Sequence, residues 1–237
     1  MAHVDREIAP ATDGELAFEL PGGGRALFTT RSDGNLSMRA GEDHERGLQR
    51  RDELCASLGL RWLCASPQVH GTHVQRVLAV TGSRGMHAPI DADGHATALR
   101  AVGTMVLAAD CLPVALGCNG AVAMVHAGWR GLAAGVLEQG VSAVRDLGGE
   151  GEIGAVIGPG AGVCCYEVGD EVHRALGGGQ QHGRKLDLQG IAHERLTAAG
   201  VEQIRTVRAC TICDERFFSY RREGQHAGRQ AGIAWLS

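Results

Sequence analysis

No stretch of this 237-residue sequence approaches the ~18 consecutive apolar residues that a membrane-spanning helix requires, so no membrane partner is expected. An excess of positive charge is also missing. The 23 Lys and Arg against 27 Asp and Glu leave a net charge of −4, which removes any general attraction to nucleic acid or anionic lipid. The opening MAHVDREIAPATDGE has neither the basic start nor the apolar centre of a secretory leader. It reads as a mobile segment, residues 1–15, ahead of a single catalytic domain over 16–237. The 36 glycines follow no fixed period, which excludes a repeat array. No linker divides the chain. With no leader, the eight cysteines read as free thiols of a reducing compartment, and the protein as cytoplasmic.

What is present concentrates between Thr104 and Gly131. Two apolar runs of strand length, Met105–Ala109 and Ala121–Val125, each end on reactive side chains: Asp110 and Cys111 after the first, His126 after the second. Gly117–Gly120 reads as the turn between them. The reading is of two neighbouring strands that set a thiol beside an imidazole.

Elsewhere, Ala26–Thr30 reads as a strand delivering Arg31 to a turn. Residues 41–60 carry helical spacing, and RWLCASPQVHGTHVQRV reads as two strand fragments interrupted at Gly71, with His70 and His73 at the break. Residues 81–97 read as a long loop in which Asp91, Asp93 and His95 alternate. Trp129–Leu147 reads as one helix, Ile153–Ile157 as a strand, and 169–176 as a short acidic helix. A flexible connection over Gly177–Gly183 follows, then a helix over Leu188–Ala199 and strands at Ile204–Val207 and from Gly232. The basic, aromatic stretch before that last strand reads as a loop. Strands and helices alternate only in part. The expected class is therefore α/β, a mixed sheet with covering helices.

One cysteine and two histidines, His70, Cys111 and His126, match the ligand set of a catalytic zinc site with an open fourth position. The same trio could be a metal-free Cys–His nucleophilic pair. His73 is the alternative ligand, or a group orienting the site. Asp110 either caps a turn or bends inward to a ligating imidazole. Cys210-Thr211-Ile212-Cys213 has the spacing of half a zinc knuckle, but the adjacent Cys164 and Cys165 do not supply the matching half, which favours a structural reading. Arg31, Arg130 and Arg229 are candidate phosphate donors, since a planar fork suits an oxyanion. GPGAG lacks the lysine of a P-loop, which argues against nucleoside triphosphates.

The pieces FTTRSDGNLS, QVHGTHV, DADGHAT, ADCLPV, VHAGWRG, IGPGAGVCCYEV, KLDL, and CT followed by FFSYRREG and GRQAGIAW run in this order from about Phe28 to Trp235. Together they resemble the YfiH/YlmD-like family, formerly labelled multicopper polyphenol oxidase or laccase-domain protein. The resemblance implies a single αββα-type domain, sharing its fold with certain cysteine-dependent toxin deamidases. It implies zinc held by His70, Cys111 and His126. It also implies phosphorolysis of adenosine, inosine and methylthioadenosine with inorganic phosphate, adenosine deamination, and a monomer. Catalytic roles would fall to Cys111, His126, His70, Asp110 and His73, and phosphate binding to Arg31, Arg130 and Arg229. The alternatives are a copper-dependent phenol oxidase, which the single His/Cys cluster disfavours, and a metal-free Cys–His deamidase. The chain departs from the family pattern between Asn35 and Arg50, which looks shortened, at Gln49 where asparagine is expected, and at the SDG turn after Arg31.

Overall fold

The computed structural model describes residues 16–38, 44–80, 90–177, 181–182 and 184–237. The expected mobile segment 1–15 lies outside these residues, as do the start of the 41–60 helix, residues 81–89 of the 81–97 loop and much of the 177–183 connection.

The chain runs β1 (Ala17–Leu20), β2 (Gly24–Phe28), α1 (His44–Ser57), β3 (Trp62–Cys64), β4 (Val74–Val77), β5 (Gly94–Thr97), β6 (Val102–Ala108), β7 (Leu112–Asn119) and β8 (Ala121–Ala127). It continues through α2 (Trp129–Ala134), α3 (Val136–Asp146), β9 (Glu150–Ile157), α4 (Asp170–Ala175), β10 (Gln181–His182), β11 (Lys185–Leu186), α5 (Leu188–Ala198), β12 (Gln203–Thr206), α6 (Tyr220–Glu223) and β13 (Gln230–Leu236). One sheet has the order β1-β2-β13-β6-β3 and a second the order β12-β9-β7-β8-β5-β4. Both mix parallel and antiparallel pairs, as β3/β6 and β4/β5 are parallel while β7/β8 and β6/β13 are antiparallel.

The period-2 alternation of strand side chains places these sheets face to face. Val122 and Met124 of β8 and Ala115 of β7 pack against Ala26, Phe28, Val106 and Ala234 of the opposite sheet. The intervening residues Leu112, Val114, Leu116, Ala123 and Val125 pack outward against Leu132, Leu137 and Val144 of α2 and α3 and Ile191 of α5. On the far side, Met105, Ile233 and Trp235 pack under Cys55 of α1 and Leu60. The layers are therefore α–β–β–α. Strands buried on both faces carry unbroken apolar runs, and all seven residues of β8 are buried. Among the described residues no helix is long and apolar enough to cross a membrane.

Several expectations are corrected. Met105–Ala109 and Ala121–Val125 are not neighbours in one sheet: β6 lies in the first and β8 in the second, and β7 follows β6 as a strand of its own. Pro113 and Gly117 hid β7 from a propensity reading, yet burial on both sides holds it extended, and the turn is confined to Gly120 at φ 92°. The end of the 81–97 loop is the buried strand β5. Its small residues fit where a glycine Cβ at 94 would stand 3.1 Å from the Met124 carbonyl. The single helix over Trp129–Leu147 is two, broken where Gly135 takes φ 92°. The last strand begins at Gln230 rather than Gly232, and the basic stretch before it contains α6.

Candidate active site

The site forms where the chain passes from one sheet to the other. Leu112 pairs with Ala127 and Pro113 with His126, so the start of β7 and the end of β8 lie side by side, with Cys111 immediately ahead of β7. Gln230 pairs with Ala108, which brings Arg229 beside the 109–111 connection. His70 arrives on the loop between β3 and β4. That loop is tied to β6 by Gln68, whose side chain donates to the Leu107 carbonyl at 2.8 Å and accepts the Leu107 N–H at 2.8 Å. The ligand atoms of His70, Cys111 and His126 all lie within 4.8 Å of one another, and the His70 and His126 rings meet edge to face at 5.0 Å. His126 is buried and His70 exposed, so the cluster opens on the His70 side.

Behind it stands Asp93. Its Oδ1 lies 2.8 Å from His126 Nδ1, and the carboxylate accepts the backbone N–H groups of Val69, His70 and Gly71 at 3.2, 2.9 and 2.7 Å. Three successive N–H groups form a concave anion seat. The seat needs His70 at φ 61°, a left-handed conformation that costs a non-glycine residue ~1–2 kcal/mol. Hydrogen bonds to a charged group contribute ~1.5–3 kcal/mol each, which outweighs that strain. With Nδ1 engaged by Asp93, His126 presents Nε2 toward Cys111. Space is tight on the other side too. A Cβ on Gly128, the residue preceding α2, would lie 2.8 Å from the Cys111 sulfur and 3.3 Å from His70 Cδ2.

Burial pushes the Cys111 thiol up, but the His126 and His70 imidazoles within hydrogen-bonding reach outweigh it and hold the thiol down at about 6. Burial pushes His126 down, and the Cys111 thiolate with the Asp93 carboxylate outweighs it, raising the imidazole to about 9. Burial likewise works against ionised Asp93, but its bonds from His126, Gly71 and His70 keep it below its ordinary value. Cys64, half-buried beside the Cys55 thiol and without an imidazole, is raised by burial and by Cys55 to about 11. A free thiolate beside an imidazole is what a soft or borderline divalent ion binds, and the histidine anchored by a carboxylate has the usual arrangement of a metal ligand. The residues fit a metal. Their chemistry leaves zinc and copper both open.

The cluster forms part of the wall of a cavity of about 500 Å³, also lined by Asp110, Trp129, Arg130, Tyr166, Tyr220, Arg221 and Arg229. Asp110 is buried here but does not bond a ligating imidazole. Its Oδ1 accepts the Thr211 hydroxyl at 2.7 Å and its Oδ2 the Arg221 N–H at 3.0 Å. His73 is not among the lining residues, and its Nε2 lies 3.2 Å from Gln75 Oε1. Arg130 lines the cavity with its guanidinium 4.3 Å over the Trp129 ring. Arg229 lines it while donating to the Ala227 and Gly228 carbonyls at 2.6 and 2.8 Å. Arg31 does not reach it. Its guanidinium pairs with Glu223, donates to the Phe217 carbonyl at 3.2 Å and lies 4.5 Å over Phe218. Gln49, the departure from the family pattern, donates to Glu53 at 2.8 Å on an exposed face of α1.

Asp93 and Arg221 belong to the site although the sequence reading left them out. The alternation of Asp91, Asp93 and His95 was visible, yet nothing in it separates Asp93, buried behind the cluster, from exposed Asp91. Arg51, fully buried in α1, also lines the cavity beside Ser37 and Met38. The helical spacing over 41–60 reads Arg51 as outward-facing with Glu45, Arg50 and Asp52; the fold instead turns it inward, where its Nε donates to the Leu36 carbonyl at 2.9 Å.

Residues 23–237 match the family described as multi-copper polyphenol oxidoreductase laccase. The chain is 38% identical to a Shigella flexneri protein named purine nucleoside phosphorylase YfiH, over 92% of this chain and 96% of that one. It is 35% identical to a purine nucleoside phosphorylase of Xylella fastidiosa, over 91% and 88%. Among solved structures, a Neisseria meningitidis protein superposes with a TM-score of 0.79 at 30% identity, covering 92% of this chain and 96% of that one. YlmD from Geobacillus stearothermophilus superposes with a TM-score of 0.78 at 29% identity, covering 90% and 92%.

Proposed function

The chain belongs to the multi-copper polyphenol oxidoreductase laccase family, and on that premise we propose that it is a zinc-dependent purine nucleoside phosphorylase that also deaminates adenosine. Its substrates would be adenosine, inosine and methylthioadenosine, split with inorganic phosphate into base and sugar-1-phosphate. The names of its relatives support this reading. The observation that carries it is the junction of His70, Cys111 and His126 with a cavity lined by Arg130, Arg221 and Arg229. A cavity of about 500 Å³ falls in the range that encloses a small organic ligand.

His70, Cys111 and His126 would hold the zinc, with Asp93 fixing the His126 ring. The ion would supply Lewis acidity toward water or substrate. The arginines do the rest of the electrostatic work: Arg130 and Arg229, with Arg221, offer forked donors to phosphate and to charge developing as the N-glycosidic bond breaks. Trp129, Tyr166 and Tyr220 offer flat faces to a purine. Asp110 would orient the wall rather than abstract a proton, since its oxygens accept hydrogen bonds from the Thr211 hydroxyl and the Arg221 N–H. The protein would act as a cytoplasmic monomer.

The deciding experiment incubates zinc-loaded protein with adenosine, with and without phosphate, and resolves adenine, inosine, hypoxanthine and ribose-1-phosphate. Adenine with ribose-1-phosphate only when phosphate is present, and inosine without it, is the expected pattern. An absence of all four products overturns the reading.

One observation favours a second reading. Cys111, His126 and Asp93 stand as nucleophile, base and orienting carboxylate, the geometry of a metal-free thiol hydrolase or deamidase. Retained turnover by metal-free protein, abolished by alkylating Cys111, would favour it. Copper-dependent phenol oxidation has less support. Of the two candidate metal clusters among the described residues, one holds two imidazoles and the other none, too few for several copper centres.

A further inference from the structure

Two pairs remote in sequence, Cys164 with Cys165 and Cys210 with Cys213, converge at the surface, all four sulfurs within 4.8 Å of one another. The adjacency of Cys164 and Cys165 argued against a knuckle, since two separated pairs are the usual pattern. The fold removes that objection. The N–H groups of Cys165 and Tyr166 both bond to the Gly162 carbonyl, at 3.0 Å each, curling the 162–166 segment into a tight turn. Against it lies the 210–213 turn, joined by the Gly160–Cys210 bridge and by the Thr211 N–H to the Gly160 carbonyl at 2.9 Å.

We propose that these four cysteines form a second metal site, a closed tetrathiolate that binds one zinc ion and staples the two turns together. Three independent features support it. The first is spacing. Zinc–sulfur bonds of ~2.3 Å place tetrahedral thiolates ~3.8 Å apart, and Cys164 Sγ lies 3.7 Å from Cys213 Sγ. A disulfide would hold two sulfurs at ~2.05 Å, and a four-iron cluster spreads its thiolates wider than a single ion does. The second is the backbone. Cys210 Sγ accepts the Gly162 N–H at 3.3 Å, and the N–H groups of Cys213 and Ile212 also point to it, which is how the first sulfur of a C-x-x-C turn is held as a thiolate. The third is access. Cys164 and Cys213 are exposed, so an ion has a way in.

The staple bears on the cavity. Thr211, between two of the ligands, donates its hydroxyl to Asp110, the Ala161 N–H bonds the Asp110 carbonyl at 2.8 Å, and Tyr166 lines the cavity wall next to Cys165. The ion would therefore hold the Asp110 side of the wall in place without touching substrate.

The test is cobalt reconstitution of the chelated full-length protein, read by the intensity of the sulfur-to-cobalt charge-transfer band. One equivalent should give the strong band of four thiolates, and it should persist in the Cys111→Ala/His126→Ala variant, which removes the other cluster. Cys210→Ser/Cys213→Ser should lose that band, one metal equivalent per chain and several degrees of melting temperature. Because the readout ignores turnover, it stands or falls apart from the nucleoside reading. A wild-type protein that takes up no cobalt with a four-thiolate band overturns the proposal. So does an intact mass showing Cys164, Cys165, Cys210 and Cys213 paired as disulfides in protein isolated under reducing conditions.

Discussion

The Asp93 carboxylate lies 2.8 Å from Nδ1 of His126 and, through the same side chain, takes the backbone N–H of His70. One buried acid thus orients one candidate ligand by its ring and another by its main chain. The two histidines are 56 positions apart in sequence, and their relative placement depends on a residue neither of them adjoins.

Asp93→Asn keeps the size of the side chain but loses its charge. Zinc affinity, measured by competition with a chromogenic chelator, should weaken ~10–100-fold, the usual cost of removing a carboxylate behind a ligating histidine. Unchanged affinity would mean that His126 is held by the fold alone.

Cys111→Ala and His126→Ala should each lose the cavity metal together with nucleoside turnover. Elemental analysis and product assays on the same preparations test this. Full turnover by metal-free Cys111→Ala protein would take the metal out of the mechanism.

In metal-free protein the Cys111 thiol, held at about 6, is ionised above that pH, and His126, raised to about 9, stays protonated below pH 9. The Cys111 alkylation rate should rise to half its maximum near pH 6, while Cys64, raised to about 11, should barely react at neutral pH. The signs for stability oppose each other. The depressed Cys111 loses its contribution as pH falls toward about 6, and the raised His126 loses its own as pH rises toward about 9. The pair should therefore contribute a nearly level stability between those values. A Cys111 profile centred near its ordinary value would contradict the thiolate–imidazolium arrangement.

Arg130→Ala and Arg221→Ala should raise the KM for phosphate at least ~tenfold, since a hydrogen bond to a charged group contributes ~1.5–3 kcal/mol. Arg31→Ala should leave that KM nearly unchanged. Its guanidinium is committed to Glu223 and the Phe217 carbonyl, so its loss should appear in the melting temperature. The reverse pattern would return Arg31 to the phosphate site.

Gly128→Ala places a methyl group 2.8 Å from the Cys111 sulfur. Metal content and turnover should fall together while the far-UV spectrum is kept. A fully loaded, active variant would show that the cluster has room to shift.

The candidate cluster was legible in the chain because it sits in short, self-announcing pieces: a thiol and two imidazoles, each bounded by glycine or by a β-rich run. The apolar runs of Ala121–Val125 and Ile153–Ile157 also announced buried strands, since a strand covered on both faces has no polar side to betray. Side-chain type and local period carry that much. What they cannot carry is which distant pieces meet. The placement of β6 and β8 in different sheets, the strand hidden in GHAT, the seating of Asp93 beneath His70, the turning away of Arg31 and the meeting of Cys164–Cys165 with Cys210 and Cys213 all depend on packing between segments far apart in the chain. Those contacts exist only once two sheets have closed on each other. There the burial of both faces, rather than any local preference, decided the geometry.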